Sequence, residues 1–370
     1  MNILMVLKDM SVCGDVTCVI ELSKELISRG NKVVIAANAG ELTPQLEKLN
    51  IKFYPVALDS KMPGNILKAN KVLEQIVNEE KINIVHYHSL SVSYILNKFC
   101  KKHNLPMIST ASLSLDSSEL KLMAKRSRKI LVKNENQQKY LMERCKVPQS
   151  DTLITVNGVD VERFCENSDK CYIKDKFSLN DEDNVVVHIC RLDKKHSLTA
   201  HHLIQAVLKL DKIVDNLKCV IVGGGDDFEN VKKSAETANE KMGRDAVLLA
   251  GMCTDVEKYI ALAKLFVGAS RSAMEAMASG KPVILAGYNG YIGLLTDENA
   301  EKCIEKVFSC HDCRELGVDV LSQDIGAFFG LWDEEQEALS ELGIQTIREK
   351  FSVKRTADDA EKIYESVLEE

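Results

Sequence analysis

Apolar positions along this chain come in short runs separated by longer stretches of helical spacing, and the alternation is built twice. The first run, residues 2–7, is followed by Gly14 and then by Val16, Val19, Ile20, Leu22, Leu26 and Ile27, an apolar face that ends at Gly30. The run predicts a strand and the spacing predicts a helix. Further strands are predicted at 32–37, 52–56, 83–87, 107–110 and 129–132, with helical stretches between them. A polar stretch, 166–183, interrupts the pattern, which restarts with strands at 184–190, 218–222, 246–249, 265–267 and 282–285. Two helices, 333–350 and about 353–368, close the chain and are separated by Phe351 and Ser352. Strands alternating with helices require crossover connections, so each half is expected to be an α/β domain with a doubly wound parallel sheet. The expected domains are 1–165 and 166–352, with a terminal helix, 353–370, returning to the first. Sheets of this kind bind ligands outside the carboxyl ends of their strands, which places the expected site in a crevice between the two domains.

Composition narrows the partners. A length of 370 residues suits two domains, and 45% apolar with 28% charged residues leaves no segment too polar to fold. A net charge of -7 gives no general attraction to nucleic acid, and none is expected as a partner. The basic run at 125–129 (KRSRK) reads as a solvated helix end, with peripheral membrane contact as the alternative. Twelve cysteines without a secretory leader indicate thiols in a reducing, cytoplasmic setting, since the apolar opening stops at Lys8 and Asp9. Cys303, Cys310, His311 and Cys313 make half of a zinc site; no second ligand pair follows, so no metal is expected.

The most informative stretch is 266–293, FVGASRSAMEAMASGKPVILAGYNGYIG, in which Glu275 lies on a helix that a Gly-Lys-Pro turn connects to a buried strand. Its segment EAMASGKPVI resembles the signature of the retaining glycosyltransferases of family 4. Other segments agree in the same order: IVHYHS at 84–89, NGVD at 157–160 with Phe164, RLDKK at 191–195, VGGG at 222–225, and Phe351-Ser352 before the last helix. The resemblance covers nearly the whole chain. It implies the GT-B architecture, two Rossmann-like doubly wound domains facing across a cleft, with an acceptor-binding domain first and a nucleotide-sugar domain second.

The resemblance also implies roles. Glu275 would accept hydrogen bonds from the ribose hydroxyls, a task suited to an ionised, planar acceptor. Arg191 and Lys195 would stabilise the charge that grows on the departing diphosphate; the family lysine falls one place later, where this chain has His196. Gly223 and Gly224 would shape the donor cleft, and the backbone at Met252 and Cys253 would border the nucleobase. Gly14 would lie on the acceptor and phosphate side, although the family has paired glycines there. The chain departs from the family at Val267, where many members have a first glutamate, and at Ser112, where they often have a histidine. His88 is then the remaining N-terminal candidate, as a catalytic group or as a structural strand-end histidine. The glycine and tyrosine loop 287–293 is expected to compensate for the lost glutamate, with backbone amides around Gly290, Tyr291 and Gly293, and Arg271 nearby, holding phosphate or sugar.

The expected reaction is transfer of a hexosyl or N-acetylhexosaminyl group from a UDP-sugar to an acceptor hydroxyl, with retention and without metal or cofactor, in cell-envelope polysaccharide or glycoconjugate synthesis. The acceptor class stays open among polysaccharide, lipid-linked, small-molecule and protein substrates. Two other readings are a non-catalytic subunit or sugar-binding protein of the same shape, and a nucleotide-sugar epimerase.

Overall fold

The computed structural model describes residues 1–60, 62–112, 115–165 and 171–369. In chain order the first half runs β1 (Asn2–Asp9), α1 (Gly14–Ser28), β2 (Lys32–Asn38), α2 (Thr43–Lys48), β3 (Lys52–Pro55), α3 (Pro63–Glu80), β4 (Ile84–Tyr87), α4 (Ser93–His103), β5 (Met107–Thr110), α5 (Ser117–Arg126), β6 (Lys129–Val132), α6 (Glu135–Cys145) and β7 (Thr152–Ile154). The second half runs α7 (Cys171–Phe177), β8 (Asn184–Ile189), α8 (Leu198–Leu210), β9 (Leu217–Val222), α9 (Phe228–Met242), β10 (Val247–Gly251), α10 (Val256–Leu262), β11 (Leu265–Gly268), α11 (Ser270–Ala278), β12 (Val283–Gly287), β13 (Gly290–Leu294), α12 (Asp297–Glu305), α13 (Val318–Phe329) and α14 (Asp333–Lys350), and α15 (Val353–Leu368) follows.

The chain forms two compact units, Met1–Gly158 with Phe351–Glu370, and Val159–Lys350. The first holds a seven-stranded sheet of order β3-β2-β1-β4-β5-β6-β7, all parallel. The second holds six strands, β10-β9-β8-β11-β12-β13, parallel except for the antiparallel edge strand β13. Both orders reverse beside the first strand, the doubly wound arrangement that the alternation predicted.

Apolar runs rather than alternating patterns make these strands because both faces are covered. In β1, Ile3, Met5 and Leu7 pack with Val19, Leu22 and Leu26 of α1 and with Ala360, Ile363 and Tyr364 of α15, while Leu4 and Val6 pack with Leu73 and Ile76 of α3 on the opposite face. In the second unit Val186, Ile221, Val267 and Ile284 share a core with Leu203, Val207, Leu321 and Ile325 from α8 and α13.

The units divide earlier than the composition shift suggested. Residues 166–170, where the second domain was expected to start, lie outside the described residues. The division falls at Gly158–Val159, and the segment after it is tied to the second unit: Arg163 pairs with Glu257 of α10 at 2.8 Å and donates to the Thr254 carbonyl at 3.0 Å. At the other end the division is at Lys350–Phe351, with buried Phe351 and α15 part of the first unit.

Candidate active site

In the second unit, the backbone leaving β8 is zipped to the glycine turn leaving β9. Cys190 N–H donates to Val222 at 3.1 Å, Leu192 N–H to Gly224 at 3.0 Å, and Asp227 N–H to Leu192 at 2.8 Å. This closeness requires glycine: a Cβ on Gly223, at φ +149°, would lie 1.9 Å from the Cys190 carbonyl oxygen. Leu192 is buried beneath the turn, which turns Arg191 outward with most of its side chain in solvent.

Asp193 organises the rest of this turn. Its carboxylate accepts from the backbone of Lys195 at 3.0 Å and His196 at 2.9 Å, and from His196 Nδ1 at 2.8 Å. Partial burial opposes ionisation, but these bonds prevail and hold the carboxyl at about 2. His196 Nε2 in turn lies 3.3 Å from Arg191 Nη2. Across from them stands Tyr288, with Lys195 Nζ 4.6 Å from its ring centre and the His196 ring edge-on at 4.5 Å. Arg191, Lys195 and His196 thus form one turn beside an aromatic wall. Gly224 and Met252 adjoin it: a Cβ on the glycine would sit 3.2 Å from Met252 Cε. Met252 is exposed, and Cys253 is half-buried.

Glu275 is buried on α11, where Arg271, one helical turn back, donates from Nε to its Oε1 at 2.7 Å. The structure therefore brings Arg271 to Glu275. Val267 lies inside β11 in the core, so a glutamate in its place would be stripped of solvent. Beside it, burial holds His188 neutral with a pKa near 4 while its Nδ1 donates to the Val267 carbonyl at 2.7 Å.

The stretch 287–293 is not the open loop expected from its glycines. Residues Gly290–Leu294 form β13, paired with β12, and only Tyr288 and Asn289 make the turn. Tyr291 is core: its N–H donates to Arg314 at 2.8 Å and its hydroxyl to Asp324 at 2.7 Å. Burial, then the Asp324 hydrogen bond, raise its pKa well above the ordinary phenol value. Gly290 and Gly293 serve close packing, since a Cβ on them would fall 2.2 Å from the Cys310 oxygen and 2.8 Å from an Asp324 oxygen. The backbone amide of Tyr291 is thus already engaged. The residue of this hairpin that reaches the cationic turn is Tyr288, which sequence reasoning passed over; its place at the tip between two glycines was the available signal.

In the first unit, a pocket opens at the carboxyl ends of β4 to β7, walled by His88, Thr110, Ser112, Lys133 and Asn157 and, from α1, Asp15. The Ser112 carbonyl accepts from Gln137 at 2.8 Å. Gly14 opens α1, whose N-cap residue, Cys13, provides no side-chain cap. His88 continues β4 by donating its N–H to Val6 at 2.9 Å, and its ring centre lies 4.1 Å from that of His86. His86 is clamped between the Tyr364 hydroxyl at 2.6 Å and Thr110 at 2.8 Å. Burial, and less strongly Lys133, bring its pKa to about 3. Burial, His86 and Lys133 likewise hold His88 well below the usual histidine range. Lys133, a lysine ending an apolar strand, was also passed over by sequence reasoning. Its Nζ donates to the Val156 carbonyl at 3.0 Å.

All twelve cysteines are free thiols. Among the described residues, no three of His, Cys, Asp or Glu converge to hold a metal, and no helix is long and apolar enough to cross a membrane.

Two doubly wound units, each built on a parallel-dominated sheet, define the GT-B class. The sequence also matches two family models, Glycosyltransferase Family 4 over residues 13–163 and Glycosyl transferases group 1 over residues 169–310. The chain belongs to the group 1 glycosyltransferases. No curated protein matches it in sequence. Among solved structures, a glycosyltransferase from Rickettsia africae is 19% identical, with a TM-score of 0.77 and 99% of this chain and 98% of that one covered. HepE from Anabaena, solved with UDP-glucose, is 16% identical with a TM-score of 0.70, covering 100% and 99% of the two chains. The UDP-GlcNAc 2-epimerase of Neisseria meningitidis, solved with UDP-GlcNAc, is 15% identical with a TM-score of 0.66 and full coverage of both chains.

Proposed function

We propose that the chain transfers a hexosyl or N-acetylhexosaminyl group from a UDP-sugar to an acceptor hydroxyl with retention of anomeric configuration, the second unit holding the donor and the first the acceptor. The observation that carries this reading is the turn 191–196, zipped to the glycine turn and faced by Tyr288. Fixed cations on a rigid backbone stabilise charge as it develops on the departing diphosphate without reorganising first. Arg191 and Lys195 supply those cations, so no metal is required for leaving-group departure. Glu275, with Oε1 fixed by Arg271, offers its other oxygen to the ribose hydroxyls. Met252 and Cys253 border the base. The leaving phosphate takes the acceptor's proton, and His88 stands on the acceptor side with Ser112 and Gly14. The UDP and UDP-sugars bound in HepE and the epimerase support a uridine donor for this shared fold.

The test is incubation with a panel of UDP-sugars, with and without a pool of envelope glycans and small acceptors, in the presence and absence of EDTA. UDP release that depends on acceptor and survives EDTA, with a product of the donor's anomeric configuration, is the expected result. Sugar conversion without an added acceptor would make the protein an epimerase. Donor binding without release or conversion would make it a non-catalytic subunit.

A further inference from the structure

Three thiols of the second unit gather behind the β12–β13 hairpin. Cys303 lies on α12, and Cys310 and Cys313 lie on the connection that follows it. Burial, and then the neighbouring Cys313, push the Cys303 thiol up to about 11 and the Cys310 thiol up to about 12. Cys310 and Cys313 are joined by a turn of two residues, His311 and Asp312. The ends of such a turn lie within about 7 Å between Cα atoms, a span that a disulfide bridges. Both also press on one glycine: a Cβ on Gly290 would fall 2.2 Å from the Cys310 oxygen and 3.3 Å from Cys313 Cβ.

The surroundings divide the work between these two thiols. Cys310 is fully buried and its sulfur accepts from the Ile292 amide of β13, so it neither meets solvent nor ionises readily. Cys313 is half-buried, donates to the His311 carbonyl at 3.4 Å, and has Lys306 Nζ 3.5 Å from its sulfur. A cation beside an accessible sulfur is placed to meet the negative charge of the attacking form. A second thiol within reach then gives the oxidised sulfur a partner to condense with. Packing alone accounts for Cys310, which acts as a small apolar group, but not for Cys313 and its ammonium neighbour.

We propose that Cys313 and Cys310 form an oxidant-sensitive pair, which a hydroperoxide converts to a disulfide, and that the disulfide weakens donor binding at the tip of the hairpin. In the first step, written for hydrogen peroxide, the Cys313 sulfur attacks one oxygen. The S–O bond forms, the O–O bond breaks, and the departing oxygen takes up the thiol proton and leaves as water. Cys313 is oxidised by two electrons to a sulfenic acid and the peroxide is reduced. In the second step the Cys310 sulfur attacks that of Cys313; the S–S bond forms, the S–O bond breaks, and hydroxide leaves with the Cys310 proton as a second water. Closing the bond draws the Cys310 sulfur from the Ile292 amide. Cys310 also lies under the other end of the hairpin turn, since a Cβ on Gly287 would be 3.9 Å from Cys310 Cβ. Between Gly287 and Gly290 stands Tyr288, whose ring centre is 4.6 Å from Lys195 Nζ, so a shift of the thiol turn reaches the wall of the donor turn. That last link rests on the reading that the second unit holds the donor; the disulfide itself does not.

The experiment treats the full-length native chain with hydrogen peroxide, blocks the remaining thiols with N-ethylmaleimide, and digests the product with trypsin. Cleavage after Lys302, Lys306 and Arg314 puts Cys303 on one peptide, 303–306, and Cys310 with Cys313 on another, 307–314. The expected result is a 307–314 peptide lighter by two hydrogens and free of maleimide, restored to two adducts by dithiothreitol, with 303–306 labelled throughout. Cys310→Ser should leave Cys313 as a sulfenic acid that dimedone traps, and Cys313→Ser should leave Cys310 unreacted. If Cys310→Ser does not fold, the wild-type peptide and the half-buried Cys313→Ser still decide. Two maleimides on 307–314 after peroxide, or a link between the two peptides, overturns the pair. UDP affinity is measured by calorimetry on the same samples. It should fall about tenfold on oxidation, recover with dithiothreitol, and stay constant in Cys313→Ser. A disulfide that leaves the affinity unchanged overturns the coupling to the donor. Reduced protein that binds no UDP yet forms the disulfide would overturn the donor reading and leave the thiol pair standing.

Discussion

Arg191 and Glu275 are both expected to meet the donor, yet their surroundings make different demands on a substitution. Arg191 is exposed and its nearest carboxylate, Asp193, is 4.0 Å away and already satisfied by three other donors. Removing it strands no buried charge. Arg191→Ala should therefore lower kcat about 10²-fold while melting shifts by about a few degrees. Paired kinetics and melting curves on one preparation check this, and a normal kcat would reduce Arg191 to a surface residue. Glu275→Gln is different, because it also leaves Arg271 facing an amide in a buried place. Both donor affinity and stability should fall, the former by about 1–3 kcal/mol. Calorimetric titration with UDP-sugar measures the affinity; a stability loss with unchanged affinity would make the pair purely structural.

Among the elements, the β12–β13 hairpin sets Tyr288, which faces Lys195, close in sequence to the buried Tyr291. Tyr291→Phe removes the hydroxyl bonded to Asp324 and should cost about 1 kcal/mol of stability. Donor affinity should stay unchanged in the same variant; a weaker donor with an unaltered urea midpoint would return Tyr291 to the site. Most strands were legible in the sequence because a strand buried on both faces leaves an apolar run, as in 107–110 and 129–132, which coincide with β5 and β6. The segment Gly290–Leu294 was not, since its glycines mimic a loop. Gly290 is there because the Cys310 backbone comes too close for any side chain, and Gly293 because its φ of +106° disfavours one, facts set by folding rather than by local sequence. Lys133 was hidden for a similar reason: it lines a pocket with Asp15 of α1, Val156 after β7 and Thr356 of α15, which only folding brings together. The turn 191–195 stood out in the sequence as a basic segment after a strand, but the Asp193 cap and the Tyr288 wall that fix its geometry arise only on folding.

At the scale of the whole molecule, the buried histidines set a limit on acid tolerance. His86 and His188 have folded-state values of about 3 and about 4, below the unfolded value of 6.5, so the unfolded chain takes up protons first as pH falls. Their contribution is complete above about pH 6.5 and is lost as pH falls below it, by up to about 1.4 kcal/mol per pH unit for each histidine. Urea midpoints should drop between about pH 7 and about pH 5, and a flat profile would contradict the buried neutral assignment. The order of the chain has a consequence for how the protein is made. The second unit is an insertion: Val159–Lys350 interrupts the first unit, and Gly158 lies so close to Val353 that a Cβ on it would fall 2.6 Å from that residue's Cα. During synthesis the inserted unit emerges whole, whereas the first must wait for α15 to supply Tyr364 to His86 and to cover α1. A nascent chain halted before α15 should therefore show protease-resistant 159–350 and a digestible 1–158, and stable protection of both would mean that the first unit matures without its final helix.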